Sequence, residues 1–137
     1  MEIDQRLRQK IAQYQQAIEG FSALLAIDLQ AYDGVVRDGL MNGLIQKFEI
    51  SSELTWKLIK LFLLSAHQID ARTPKSAIKE FYLAGLADSS LYESLLRMQD
   101  DRNRASHIYD EAAFQEILGR LKTYEQNMKD VLAIVSG

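Results

Sequence analysis

The chain has 137 residues, of which 47% are hydrophobic and 26% charged, and its 16 basic and 19 acidic side chains give a net charge of −3. This length suffices for one domain with a hydrophobic core but not for two ordinary ones, so residues 1–137 are predicted to form a single domain. The net charge argues against a protein that coats nucleic acid by overall basicity, and the absence of cysteine excludes disulfides, thiolate zinc sites and a cysteine nucleophile.

The N-terminus and the most apolar segment both indicate a soluble protein. The first six residues read Met-Glu-Ile-Asp-Gln-Arg and contain no apolar run of the kind found in signal peptides. The most apolar segment, residues 58–66, includes Lys60 and Ser65 and is much shorter than a membrane span. We therefore expect a cytoplasmic protein without membrane contacts.

Apolar residues recur every three or four positions along most of the chain, which predicts amphipathic helices. The segment from Asp28 to Gly34 should end the first helix, because Asp33-Gly34 is a turn signal. A long second helix is predicted from about Val35 to His67, with apolar residues on two sides. Such a helix is central in its bundle or buries one side against a second chain, and we expect part of it to form a dimer interface. The first helix carries the apolar stripe Ile3, Leu7, Ile11, Tyr14, Ile18, Phe21 and Leu25.

Capping residues mark the helices that follow. A short third helix is expected to begin at Thr73-Pro74, where a capping residue precedes a proline, and to end near Ala84. Asp88 should cap a fourth helix that reaches about Tyr109.

A fifth helix, capped by Asp110, completes the predicted fold. No segment alternates between apolar and polar residues as a strand would. The predicted fold class is therefore all-α, an up-and-down antiparallel bundle of about five helices that forms dimers. The stripe of the fifth helix is Phe114, Ile117, Leu121, Tyr124, Met128, Val131 and Val135.

The predicted fourth helix changes from apolar to polar on a face that should be covered. Its apolar stripe continues at helical spacing into Arg102, and a neighbouring line leads to Asn103 and His107. Charged groups on a covered face are costly unless they are paired or line a cleft. Arg102 and His107 lie about 140° apart around an ideal helix, so they can flank one groove, and in a dimer they can meet their symmetry mates.

These three side chains suit metal-free RNA cleavage. His107 can move protons near neutral pH, and Arg102 can hold a phosphate and stabilise charge on a pentacoordinate phosphorus, while Asn103 can orient the substrate. On the residues alone, a structural interpretation is favoured over this one. In it, Arg102 forms an ion pair with Asp101 or Glu111, and His107 is a polar residue near a helix end.

Two blocks of sequence resemble a known family. The segment Arg-Asn-Arg-Ala-Ser-His-Ile-Tyr at residues 102–109 is similar to the Arg-x-x-x-x-His-x-Tyr motif of the HEPN superfamily. Ile-Gln-Lys-Phe-Glu at residues 45–49, with Glu53-Leu54 and Trp56-Lys57, resembles the second-helix signature of HEPN proteins that are paired with a minimal nucleotidyltransferase. Arg37-Asp38-Gly39 resembles the start of that signature, but four extra residues separate it from the rest.

The resemblance implies a homodimeric toxin of a two-gene toxin–antitoxin module, with the motif helices lining a shared cleft. Arg102 and His107 would be the catalytic pair of a metal-independent endoribonuclease, with Asn103 as their polar companion and RNA as a ligand. Tyr109 would match the tyrosine that the partner nucleotidyltransferase modifies with AMP in some members. The chain would need no metal and no cofactor, because ATP and magnesium would belong to the partner.

Two other functions stay open. In one, the chain is a non-catalytic module whose Arg102/His107 cleft binds or presents the substrate of the separate nucleotidyltransferase. In the other, the chain is a structural dimer whose motif residues pair internally. Acidic residues around the motif, including Asp100 and Asp101, argue against RNA binding because they repel phosphates.

Two further features are given structural interpretations. Trp56 is interpreted as part of the core or of a dimer interface, and not as a surface that stacks on a base. Glu49 and Glu53, which lie one helical turn apart, are expected to form surface or interhelical ion pairs and not a metal site.

Overall fold

The computed structural model describes residues 2–107 and 111–137, with side chains at positions 4–107 and 112–137, and these residues form an all-helical fold. No strand occurs among them, and the predicted all-α helical bundle is confirmed. A 3-10 turn at Leu29–Ala31 lies between the first two helices. The helices are α1 (Glu2–Leu25), α2 (Gly34–His67), α3 (Pro74–Leu83), α4 (Ser89–Ala105) and α5 (Glu111–Ser136).

Local capping explains where α3 and α4 begin. The Thr73 hydroxyl accepts a hydrogen bond from the Ser76 amide at 3.2 Å, and the Ser76 hydroxyl accepts one from the Thr73 amide at 3.0 Å. This reciprocal arrangement is a capping box, and Pro74 occupies the first helical position. The Asp88 carboxylate accepts a hydrogen bond from the Leu91 amide at 2.8 Å. The predicted starts of both helices are therefore confirmed.

Helix α4 ends at Ala105, four residues before the predicted end at Tyr109. The His107 amide donates at 2.9 Å to the Arg104 carbonyl, three residues back, so the chain tightens into a turn after the helix. Asn and Ser are weak helix formers, and their presence in this segment favours an early end. Tyr109 and the predicted cap Asp110 lie outside the described residues.

Helix α2 is the centre of the bundle, since it contacts each of the other four helices. One cluster of buried apolar residues draws on all five helices and includes a stacked pair, Phe48 on α2 and Tyr124 on α5, with ring centroids 5.4 Å apart. Within this core, the hydroxyls of Tyr14 and Thr55 form a hydrogen bond of 2.8 Å that joins α1 to α2. The central place that was one explanation of the two apolar sides of α2 is confirmed, while a dimer interface on part of this helix stays a prediction.

Membrane-spanning segments require a helix that is both long and apolar throughout. No helix in the described part of the chain combines the length and the apolar composition that crossing a bilayer requires.

Candidate functional site

The side chain of Arg102 reaches from α4 to α2. Its Nη2 lies 3.4 Å from Oε2 of Glu53, and each side chain is 32% exposed. Glu53 also forms an ion pair of 3.4 Å with Lys57, which lies one turn further along α2. The Nε of Arg102 is buried and has no hydrogen-bond partner among the described residues. Arg102 therefore pairs across helices and not with its neighbour Asp101, which corrects one of the two pairings expected for it; the side chain of Glu111, the other expected partner, lies outside the described residues.

Arg102 forms part of the wall of a surface groove between α2 and α4. The groove has a volume of about 280 Å³ and is also lined by Glu49, Ile50, Glu53 and Leu54. Half of the Ile50 side chain is exposed, so the groove offers an apolar surface beside one guanidinium and two carboxylates. This arrangement can hold a ligand that has both an apolar part and an anionic group, provided that the anion competes with Glu53 for Arg102.

Asn103 and His107 are exposed at the same end of α4. The Asn103 carbonyl oxygen accepts a hydrogen bond of 3.2 Å from Nε2 of Gln99, which is buried. His107 lies in the turn after the helix. The structure thus brings the three predicted site residues to one end of α4, but within the described part of the chain none of them bonds to another. Tyr109, the predicted AMP acceptor, lies outside that part.

Asp101 is a buried acid near the motif that forms hydrogen bonds and ion pairs with three side chains. From the sequence, it was expected to repel phosphates or to pair with Arg102. It is only 2% exposed and accepts hydrogen bonds from Nε and Nη2 of Arg120 at 2.7 and 2.9 Å and from the hydroxyl of Tyr124 at 2.5 Å. Nη1 of Arg104 lies 3.5 Å away. This cluster fastens the end of α4 to α5 and so fixes the backbone from which Arg102 and Asn103 project.

The charge of Asp101 is held in the ionised form by these partners. Burial favours its neutral form, but the hydrogen bonds from Arg120 and Tyr124, and the positive charges of Arg120 and Arg104, outweigh burial and lower its pKa. The sequence contains one indication of this cluster. Arg120 and Tyr124 lie one helical turn apart on α5, and Tyr124 belongs to the apolar stripe. Only the fold shows that this turn lies beside Asp101.

The acidic surroundings of the motif are weaker than the sequence indicates. Asp101 is neutralised by Arg120, and Asp100 pairs with Lys75 on α3 at 2.9 Å. Glu53 forms the interhelical pair expected for one of the two α2 carboxylates. No group of three or more His, Asp or Glu side chains suited to a metal ion occurs among the residues that the structure describes.

Known proteins share both the sequence pattern and the fold. The family model for nucleotidyltransferase substrate binding protein-like sequences matches residues 6–136. A solved structure from Thermus thermophilus has 25% identity and a TM-score of 0.79, over 89% of this chain and 98% of that one. A second, from Haemophilus influenzae, is described as revealing the fold of a substrate binding domain of a nucleotidyltransferase; it has 23% identity and a TM-score of 0.68, over 97% of this chain and 98% of that one. No curated protein matches the chain. Because the family model spans nearly the whole sequence, the chain belongs to the nucleotidyltransferase substrate binding protein-like family.

Proposed function

We propose that the chain is a cytoplasmic substrate-binding subunit that works with a separate nucleotidyltransferase and transfers no nucleotide itself. The observation that carries this proposal is the family match over residues 6–136. The fold shared with the Haemophilus influenzae substrate binding domain supports it. The sequence also contains no Gly-Ser segment followed by an Asp-x-Asp pair, the pattern expected of the transferase partner.

The groove beside Arg102 suits a subunit that holds one part of a substrate. Its volume of about 280 Å³ is just below the roughly 300–1,000 Å³ that ligand pockets usually have. A site of this size covers a fragment of a ligand, and the transferase would cover the rest. The Glu53–Arg102 pair is one-third exposed on both sides, so exchanging Glu53 for an anionic substrate group costs only about 1 kcal/mol or less.

The test uses the minimal nucleotidyltransferase from the same organism with ATP and magnesium. Calorimetry measures complex formation, and release of pyrophosphate measures nucleotide transfer with and without the chain. We expect the chain to stimulate pyrophosphate release. Arg102→Ala should leave the complex intact and reduce the stimulated rate about tenfold or more, because it removes a charge-assisted hydrogen bond.

Arg97→Ala is the matched control, since Arg97 is an exposed arginine on the same helix that does not line the groove. It should behave like the wild type. Absence of a complex, or equal rates in the two variants, would contradict the proposed role. Intact-mass measurement after the reaction shows whether AMP is transferred to the chain, for which Tyr109 is the proposed acceptor.

The second candidate is a metal-independent endoribonuclease, acting as a homodimeric toxin. It is favoured by the observation that Arg102, Asn103 and His107 lie at one end of α4, with the latter two exposed. His107 would serve as general acid and base, and Arg102 would stabilise the phosphorane once its charge is released from Glu53. In a dimer, two such helix ends would line one cleft.

Cleavage of a labelled RNA in EDTA tests this second candidate. Cutting by the wild type that is lost in both Arg102→Ala and His107→Ala would establish the ribonuclease. If the wild type does not cut while its mass shows an unmodified chain, only the substrate-binding function is supported.

A further inference from the structure

A second surface groove, between α1 and α2, is strongly basic. Its volume is about 320 Å³, and four of the seven described residues that line it are cations. Among the side chains that the structure describes, no acidic one lines it, although the whole chain carries a net charge of −3. This local excess of positive charge indicates a site for an anion. The lining residues are Arg6, Lys10, Trp56, Lys57, Lys60, Leu61 and Leu64.

The four cations differ in whether an acidic side chain or a carbonyl oxygen already binds them. Lys57 shares Glu53 with Arg102, and Lys60 is held by the Ala71 carbonyl at 2.7 Å and by Asp70 at 3.5 Å. Arg6 and Lys10 form no ion pair with any side chain that the structure describes. They lie one turn apart on α1, where like charges repel each other by a few tenths of a kcal/mol. A bound anion would relieve this repulsion, so Arg6 and Lys10 are the natural contacts for it.

Trp56 supplies an aromatic surface in the same groove. Its ring is partly buried and packs against the core, as the sequence indicates, but it also lines the groove together with Leu61 and Leu64. The indole Nε1 is buried and has no hydrogen-bond partner among the described residues, although buried indole donors usually have one. The part of the ring that lines the groove offers a surface for a flat ligand.

We infer that this groove binds a mononucleotide, with the base against Trp56 and the phosphates between Arg6 and Lys10. The combination of cations and an aromatic ring is what a nucleotide requires, because every base has a face that can stack and every phosphate is an anion. The volume of about 320 Å³ suits one small ligand, whereas a nucleic-acid strand would need a longer track of such residues. The inference does not depend on the proposed function, since the isolated chain should bind the nucleotide without the transferase.

Fluorescence provides a direct test, because Trp56 is the single tryptophan of the chain. ATP without metal should quench its emission and reach saturation, while adenosine and tripolyphosphate should each bind about tenfold more weakly than ATP. The double variant Arg6→Ala/Lys10→Ala should weaken ATP binding about tenfold or more through loss of two charged contacts. The control Lys79→Ala/Lys122→Ala removes two exposed cations outside the groove and should bind ATP like the wild type.

Calorimetry on Trp56→Leu tests the ring itself. Leucine keeps an apolar side chain in the core, and its loss of stacking should weaken ATP binding about tenfold. A melting curve confirms that each variant is folded.

Four results would overturn the inference. The first is the absence of saturable quenching by ATP, and the second is an equal loss of affinity in the control pair, which would show non-specific attraction. The third is binding of tripolyphosphate as tight as that of ATP, which would leave the ring without a role. The fourth is tighter binding of a short Glu-rich peptide that contains one Phe, which would identify the groove as a protein contact.

Discussion

The guanidinium of Arg102 on α4 lies 3.4 Å from the carboxylate of Glu53 on α2, and the same carboxylate lies 3.4 Å from the ammonium group of Lys57. Glu53 is therefore shared between the two grooves described above, since Arg102 lines one and Lys57 lines the other. All three side chains are about one-third exposed or more, so the pairs contribute little to stability. If the grooves bind anions as proposed, these pairs would set how much positive charge each groove presents to the ligand.

Replacement of Glu53 by glutamine tests this sharing. Glu53→Gln should tighten ATP binding in the Trp56 groove severalfold, because Lys57 loses its only ion-pair partner within the described residues. The free energy of unfolding should change by about 1 kcal/mol or less. Tryptophan fluorescence measures the affinity, and urea unfolding measures the stability. Glu116→Gln is the control, because Glu116 pairs with Arg104 at 3.4 Å and lines neither groove. Unchanged affinity in Glu53→Gln would contradict the sharing of charge.

Removal of the Asp101 charge should destabilise the fold. Asp101→Asn leaves Arg120 and Tyr124 without a buried carboxylate, and we expect a loss of about 2–3 kcal/mol, somewhat below the cost for a fully buried pair because Arg120 is 31% exposed. Urea unfolding measures the change. Asp100→Asn is the matched control, since Asp100 is exposed and pairs with Lys75, and it should cost about 1 kcal/mol or less. Similar losses in both variants would contradict the role of burial.

The effect of Asp101→Asn on the free energy of unfolding should depend on pH. The pKa of Asp101 is lowered in the folded protein, so the folded state favours the ionised form more than the unfolded state does. The stabilisation is fully present above the unfolded pKa of about 4 and is lost as the pH falls through the lower folded value. The difference in unfolding free energy between wild type and Asp101→Asn should therefore shrink below about pH 4.

Because Tyr14 and Tyr124 are buried, we expect the free energy of unfolding to fall at alkaline pH. Burial raises the pKa of Tyr14 above its usual range despite the hydrogen bond with Thr55. The pKa of Tyr124 is also raised, by burial first and then by its hydrogen bond to Asp101. Both hydroxyls stay protonated in the fold after their unfolded counterparts ionise at about pH 10, so stability falls as the pH rises above that value.

Urea unfolding between about pH 8 and pH 11 measures this effect. Tyr14→Phe should flatten the alkaline fall, because phenylalanine has no hydroxyl to ionise. Tyr32→Phe, at an exposed position, should leave the slope of the wild type unchanged. An equal slope in wild type and Tyr14→Phe would contradict the assignment to buried tyrosine.

His107→Ala separates a functional from a structural role of the motif. Because His107 is exposed in the turn after α4, its removal should change the free energy of unfolding by no more than about 0.5 kcal/mol. Thermal melting and urea unfolding measure the change. A loss well above about 1 kcal/mol would favour the interpretation in which the motif only holds a structural dimer together.

Much of the fold could be predicted from local sequence. The extents of α1 and α2 and the starts of α3 and α4 agree with the apolar spacing and the capping residues, since both signals act over a few positions. The predicted end of α4, at Tyr109, is wrong. The apolar stripe continues at helical spacing through that segment, but the tightening after Ala105 depends on a backbone bond from His107 to Arg104 that spacing does not reveal.

The partners of the site residues could not be predicted in the same way. Arg102 and Glu53 are 49 residues apart, Asp101 and Arg120 are 19 apart, and Trp56 and Arg6 are 50 apart. Each arginine could pair with any of several acidic residues in the sequence. The order of these residues along the chain does not show which of them the arginine contacts in the fold. Burial decided the choice for Asp101, because a carboxylate that is removed from water must be paired.

The sequence by itself determined that this protein is helical, where most of its helices lie and which family it belongs to, because periodicity, caps and motifs are written in neighbouring residues. The tertiary structure alone decided that Arg102 faces Glu53, that Asp101 is neutralised by α5, and that Trp56 lines a basic groove. The role of a charged or aromatic side chain depends on its neighbours in space, and helix packing supplies those neighbours from distant parts of the chain.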